Sequence, residues 1–401
     1  MTRGRLARTA WSVGNGLALP ATGALVSLAA VRVAGVETWG GLVGAMLLVQ
    51  LTAQIADLGS RDALVRAFSR DPASIRATWQ TNVTSRAVLL ALGPVAFLAA
   101  GVPPERAAWM TAWLVALYVA RSHEALVAYR RRFGFAVGLE LAATAATVGA
   151  VLWFGPALGV DGLVVVFAVI ALGRAAATVV AFGLFRPWAW SGRFDIAELR
   201  RCVPFFALTF SGALGSRIDL YVVAALLSAA DLGRYQVLTG LVLLIQALAP
   251  AVIAPVLPVL YRAGGRIGDR IAARLIVVGV PLTASGIVGA WLVLVWLYGI
   301  ELPPSVLIAA WLATLPVFAY LPLVYRAYRD GRERTVVLAN VGGIGVTLFG
   351  TVMLAPTMGI GGAMLAAAAG QLTVGGVLVV ARPRAAPSDH RVEAPSALPG
   401  A

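Results

Sequence analysis

Twelve apolar stretches, each about long enough to cross a bilayer, fill this chain almost end to end, and its charged residues are confined largely to the short gaps between them. A hydrocarbon core of about 30 Å takes about 20 helical residues. On that measure, spans fall near residues 11–34, 39–59, 82–101, 107–128, 136–155, 160–184, 202–228, 234–260, 274–299, 303–327, 335–355 and 359–381. Hydrophobic residues make up 60% of the chain and charged residues 12%, and the mean hydropathy is +0.86. No soluble core accounts for such values. The expected fold class is an all-α polytopic membrane protein of about twelve transmembrane helices.

A net charge of +14 would also suit a nucleic-acid binder, so the distribution of the basic residues decides. All 32 are arginine, and 25 of them fall in every second connection. Arg3, Arg5 and Arg8 precede the first span; Arg61, Arg66, Arg70 and Arg76 follow the second; Arg130, Arg131 and Arg132 follow the fourth. The alternation continues through Arg186 to Arg201, Arg262 to Arg274, Arg326 to Arg334 and Arg382 to Arg391. The intervening connections hold mainly acids: Glu37, Glu105, Asp161, Asp231 and Glu301. By the positive-inside rule both termini are cytoplasmic, and topology alone accounts for the arginines, which argues against a nucleic-acid partner.

The first span is too long for a signal-peptide core and reads as a retained helix. The single cysteine, Cys202, excludes an internal disulfide or a cysteine metal cluster, and two histidines, His123 and His390, offer little for a zinc site. No glycine loop of the phosphate-cradling type occurs in the longest cytoplasmic connections, Ser60 to Thr81 and Arg186 to Arg201. The outer connections are too short to carry a catalytic domain, so neither a cofactor nor enzyme activity is expected. The stretch 383–401, rich in proline and alanine, reads as a disordered cytoplasmic tail.

Six spans precede the connection 186–201 and six follow it. The expected organisation is a six-helix lobe over 1–185, a cytoplasmic linker over 186–201 and a second lobe over 202–382. The segments GVETWGGL (Gly35 to Leu42) and AADLGRYQ (Ala229 to Gln236) echo one another. An even number of spans per repeat relates the lobes by a pseudo-two-fold axis along the membrane normal.

Several stretches carry a family likeness. GVETWGGL is followed by IADLGSRDALVR (Ile55 to Arg66), AYRRRFGFAVGLELAA (Ala128 to Ala143) and VPFFALTFSGALGSRIDLYVVAALLSAADLGRYQV (Val203 to Val237). In that order and spacing the chain resembles the polysaccharide and oligosaccharide flippases of the multidrug/oligosaccharidyl-lipid/polysaccharide exporter superfamily, over about residues 5–382. The resemblance implies a two-lobed alternating-access protein of the cell membrane, without metal or nucleotide cofactor. It would move a polyprenyl-diphosphate-linked sugar unit to the outer leaflet, alongside glycosyltransferases and a polymerase of the same pathway. The rivals are a multidrug exporter of the same superfamily and a non-transporting scaffold for cell-envelope synthesis.

Charges inside spans point to candidate sites. Arg174 and Arg217 lie deep in their helices, where an arginine costs about 2.5–3.5 kcal/mol on insertion scales and should face a cavity or a partner. A guanidinium fork suits phosphate oxygens, so both are candidate substrate contacts; the alternative is that each pairs with a nearby acid. Arg121, Arg32, Gln50 and Gln246 complete the candidate substrate set. Arg121 is also placed to pair with Glu124 at i,i+3, and Arg32 to snorkel to the interface or meet Glu37. Asp219 and Glu140 are candidate ion-coupling acids, with structural ion pairs as the alternative. In the resemblance an acid recurs at the position of Asp219. Pro20, Pro250 and Pro255 interrupt the spans that open each repeat and are candidate gating bends. Asp57 reads as a loop anchor at the end of span two.

Overall fold

The computed structural model describes residues 21–183, 193–215, 217–253 and 265–381. Pro20, Pro255 and the expected tail lie outside them. The described residues are helical throughout, without a strand.

In chain order the helices are α1 (Ala21–Ala34), α2 (Val36–Asp57), α3 (Ser60–Arg70), α4 (Ile75–Ala87), α5 (Leu92–Ala99), α6 (Pro104–Tyr129), α7 (Phe133–Phe154) and α8 (Val160–Ala181). They continue as α9 (Ile196–Gly215), α10 (Ile218–Leu226), α11 (Ala229–Gln246), α12 (Leu248–Ile253), α13 (Gly265–Leu292), α14 (Pro304–Arg329) and α15 (Glu333–Val380). Eight helical stretches among the described residues are long and apolar enough to cross a membrane, and the chain is a multi-pass membrane protein. The expected connection 60–81 is itself largely helical: α3 is too polar to read as a span, but Leu64 and Phe68 bury one face against the bundle. The expected span 202–228 starts earlier, at Ile196, and is broken between α9 and α10.

Helix ends follow local chemistry. α6 and α14 are both 26 residues long and open on a proline at N1 preceded by a second proline, where the missing N–H costs nothing. Ser228 caps α11 by accepting from the Asp231 N–H at 3.1 Å. α15, at 48 residues, would extend about 72 Å if straight. It is instead two antiparallel limbs that meet at Gly359, whose φ of 58° and ψ of −141° break the helix. The limbs approach closely through glycine: a Cβ on Gly370 would lie 2.0 Å from Thr347 Oγ1 and 2.8 Å from the Gly343 carbonyl oxygen.

The chain repeats its own plan at a constant offset. Pro104 and Pro304 open α6 and α14, Gly159 and Gly359 immediately precede α8 and the second limb of α15, and Arg131 and Gly331 occupy the same left-handed position in the turns after α6 and α14. The two echoing sequence segments touch each other. α2 and α11 cross where a Cβ on Gly40 would fall 1.7 Å from the Ala229 carbonyl oxygen, and one on Gly233 2.3 Å from that of Val36.

Candidate functional site

A cavity of about 370 Å³ opens in the first half of the molecule, walled by α1, α2, α6, α7 and α8 and closed on one side by Arg217 and Leu220 at the α9–α10 break and by Gln236 of α11. Its walls mix aromatic and polar groups. Trp113 and Phe167 meet at 5.4 Å between ring centroids, tilted by 49°, and Trp39 donates from Nε1 to Gln236 Oε1 at 2.8 Å. Gln50, Thr22, Thr144 and Thr147 also line it.

Three charged side chains reach this cavity. Arg174 of α8 pairs with Glu140 of α7, Nη1 to Oε2 at 2.5 Å, and both side chains stay partly accessible. Arg217 sits outside regular helix, at φ −141° and ψ 4°, where α9 has ended and α10 has not begun. Its backbone N–H reaches Leu214 O at 3.0 Å and its own carbonyl accepts from the Tyr221 N–H at 3.2 Å. No ion pair within 4 Å reaches Arg217 among the described residues. The site thus presents two guanidinium groups against one carboxylate.

Arg217 also borders a second, smaller cavity of about 120 Å³ on the other side, lined by Asp219, Thr239, Gln246, Thr347 and Gln371 among others. Asp219 Oδ2 accepts from the Tyr235 hydroxyl at 2.6 Å and does not pair with Arg217. Gln246 donates from Nε2 to Ala313 O at 3.2 Å, and Gln371 accepts from Tyr320 at 2.7 Å. The geometry therefore brings Arg174, Glu140, Gln50 and Arg217 together, and Asp219 and Gln246 on the far side of Arg217.

The remaining candidates lie elsewhere. Arg32 lines neither cavity; it spans to the π-helical segment Val293–Tyr298 that follows α13, donating from Nη2 to Trp296 O at 2.5 Å and from Nε to Leu297 O. Beside it the Tyr298 hydroxyl bonds Ser27 and Ala24 O, each at 2.8 Å. Arg121 also lines neither cavity, and its anticipated pair with Glu124 is not made within 4 Å. Pro250 stands in the first turn of α12, one turn after the interruption at Ala247, where its missing N–H accounts for the helix not continuing.

One buried cluster has no counterpart among the sequence candidates. Arg86 of α4 is fully buried and uses its whole fork: Nε to Asn82 Oδ1 at 2.8 Å, Nη1 to Ala56 O and Asp57 O at 3.1 Å and to Asp57 Oδ1 at 3.3 Å, and Nη2 to Ser122 Oγ at 3.2 Å. Its Cζ lies 5.1 Å from the Tyr118 ring centre. Asp57 is thus the carboxylate of a buried ion pair as well as an anchor for the Ser60 hydroxyl at 2.8 Å. The available signal was a lone arginine entering the apolar run Ala87 to Ala99.

The two halves also touch each other at both ends of the bundle. At the arginine-poor end the α2–α11 crossing and the Arg32 and Tyr298 contacts tie the two halves together. At the arginine-rich end Gly59, at φ 67°, lets the backbone of Phe205 and Phe206 approach so closely that a Cβ would meet Phe206 N at 2.4 Å. Asn82 Nδ2 and Cys202 Sγ meet there at 3.4 Å.

No family model and no curated protein matches the sequence. Solved structures do match in shape. The lipid II flippase MurJ in an inward closed conformation superposes with a TM-score of 0.72 at 12% identity, over 94% of this chain and 87% of that one. A multidrug resistance MATE family transporter of the MOP superfamily gives 0.64 at 14% identity in its inward-facing form, over 91% and 93%. An outward-facing form gives 0.58 at 12%, over 95% and 97%. The likeness is one of fold: the chain is built on the architecture of the MurJ flippase and the MATE transporters.

Proposed function

We propose that the chain flips a polyprenyl-diphosphate-linked oligosaccharide or polysaccharide repeat unit from the cytoplasmic to the outer leaflet of the cell membrane by alternating access, for cell-surface polysaccharide synthesis. In this reading, twelve spans form two six-helix lobes about the 186–201 linker, both termini are cytoplasmic, and the chain is a carrier without catalysis. The observation that carries the reading is the charge of the main cavity, two guanidinium groups facing one carboxylate.

A diphosphate recruits Arg217 directly and competes with Glu140 for Arg174. Charge-assisted, forked hydrogen bonds favour such an exchange, and Glu140 keeps Arg174 oriented while the cavity is empty. Release of Glu140 makes it a coupling acid, and Asp219, across Arg217, is the second. Outward movement of negative charge across an interior-negative potential gains about 2.3 kcal/mol per charge per 100 mV, so the potential itself supplies direction. Alternating access then requires the contacts between the halves at the two ends to open in turn, with Pro20, Pro250 and Pro255 as bends.

The same fold serves multidrug transporters, and the feature that favours this second reading is Asp219 beside Tyr235 in the smaller cavity, an acid suited to a cation. Depletion in the host, with a membrane-impermeant reagent separating the leaflets, tests both. Inner-leaflet accumulation of polyprenyl-diphosphate saccharides, reversed by the native chain and not by Arg217→Gln, is the expected outcome. Unchanged lipid-linked saccharides together with raised drug sensitivity would replace the flippase reading by the exporter.

A further inference from the structure

The main cavity is built on two levels, whose heights are set by the helices that wall it. α2, α6, α8 and α11 run from the arginine-poor to the arginine-rich end of the bundle, and α7 runs back. Gln50, Glu140 and Arg174 each lie seven residues from the arginine-rich end of their helix, at Asp57, Phe133 and Ala181. Thr147, Phe167 and Gln236 each lie seven residues from the arginine-poor end, at Phe154, Val160 and Ala229. Each level is therefore about 10 Å in from its own side. The step from Glu140 to Thr147 on α7, and from Phe167 to Arg174 on α8, is close to two turns, so each helix shows one face to both levels. Arg217, nine residues from the arginine-poor end of α10 at Leu226, stands between the levels on the wall formed by the second half.

The two levels differ in chemistry. The lower one, nearer the arginine-rich end, holds the Arg174–Glu140 pair. At the upper one no ionised side chain lines the cavity among the described residues. Its surface is the half-buried Phe167 ring, backed by the buried Trp113 ring. An indole N–H can only donate, so Gln236 Oε1 takes the Trp39 N–H, which leaves the Gln236 Nε2 amide as a donor for a ligand. The Thr147 hydroxyl donates to Ala143 O at 2.8 Å and keeps its lone pairs as acceptors. An apolar ring beside one amide donor and one hydroxyl acceptor complements a neutral pyranose, which has an apolar C–H face and a rim of hydroxyls.

We infer that the upper level selects the sugar joined directly to the diphosphate and takes an uncharged one, with Phe167 as its stacking surface and Thr147 and Gln236 as its hydrogen-bonding rim. This rests on the flippase activity proposed above. The diphosphate lies on Arg174 and Arg217, the glycan points to the arginine-poor end, and the unit enters sugar first. Because the diphosphate occupies both guanidinium groups, a carboxylate on that sugar would lose water at the upper level without gaining a cation, which weakens binding. A volume of about 370 Å³ falls at the small end of ligand pockets, which confines recognition to the diphosphate and this one sugar.

The test titrates the purified full chain in detergent with farnesyl diphosphate, with its conjugates to glucose and galactose, and with the conjugates to the two matching uronic acids. The better hexose conjugate is expected to bind about fivefold more tightly than farnesyl diphosphate, on the scale of one ring stacked on an aromatic side chain. Its uronic acid should bind at least about tenfold more weakly than the hexose, on the scale of an unpaired buried polar group. Phe167→Leu should bring the hexose conjugate down to the affinity of farnesyl diphosphate measured on the same variant, and Thr147→Val should cut the gain from the sugar by about a factor of two to three. The ligand series on the native chain needs no variant, so it stays decisive if Phe167→Leu folds poorly. Equal binding of hexose and uronic acid conjugates, or no gain from either hexose, would overturn the upper level as selector while the flippase reading stands. Failure of all five ligands to bind would overturn the flippase reading itself, and this inference with it.

Discussion

α6 and α14 share length, a Pro-Pro opening and a left-handed exit turn, yet they put different residues on matching positions. Where α6 has Ser122, a buried hydroxyl that accepts from Arg86, α14 has Pro322, also buried. α6 has no proline after its first turn; α14 has Pro316 and Pro322. The first half is therefore cross-braced by buried polar bonds, whereas the second interrupts its helices with proline at α9, α13, α14 and α15. The larger, charged cavity lies in the braced half, and the smaller one lies across Arg217 in the half with more broken helices. One repeat has kept charge inside as a rigid frame and the other has given up helix hydrogen bonds, which suits a frame that holds an anion while its partner bends.

Substitutions that attack the brace should have the largest effect. Arg86→Met leaves Asp57 without its cation and should cost about 3 kcal/mol or more, read as a drop in melting temperature of the purified protein. Asp330→Asn in the exit turn of α14, a partly exposed cluster, should cost less than about 1 kcal/mol. Equal losses would remove the contrast between the halves. Next comes the crossing of α2 and α11. Gly40→Leu drives a side chain into the Ala229 carbonyl and should destabilise the closed form by about 1–3 kcal/mol, seen as increased labelling of a cysteine placed at Gln50 in the cavity wall. Gly240→Ala, with open space around its Cβ, should change neither labelling nor stability. The smallest effect concerns the exit turns. Arg131→Gly should stabilise by about 1 kcal/mol and Gly331→Ala destabilise by a similar amount, both measured by thermal unfolding. The same sign at both positions would show that the two turns are not equivalent.

Much of the architecture is legible in the sequence because hydrocarbon thickness sets helix length. The runs read at 107–128, 136–155 and 160–184 correspond to α6, α7 and α8, and those at 335–355 and 359–381 to the two limbs of α15. Legibility failed where local polarity and long-range packing disagree. α3 carries three arginines and one acid, so no apolar window marks it, and only the burial of Leu64 and Phe68 makes it part of the bundle. The α9–α10 break falls inside the single span read at 202–228, at the polar pair Ser216 and Arg217, and appears only once Arg217 is seen off the helix. Arg174 and Arg217 could be singled out by the cost of their burial, but not the pairing of Arg174 with Glu140, because two helices must pack before the groups meet. Arg86 and Asp57 are 29 residues apart and carry no spacing rule. Arg32 reads as a snorkelling residue from its position, and what it reaches is a pair of carbonyls in the π-helical segment after α13.

The most direct measurement of the central claim is transbilayer movement of a polyprenyl-diphosphate saccharide in vesicles containing the purified chain, with the native protein compared against Arg217→Gln and Arg174→Gln. An anion-carrying cavity predicts movement by the native chain and at least a tenfold loss in each variant, on the scale of a hydrogen bond to a charged group, at unchanged melting temperature. Movement that is the same in all three, or absent from the native chain while cationic dyes are exported, would contradict it.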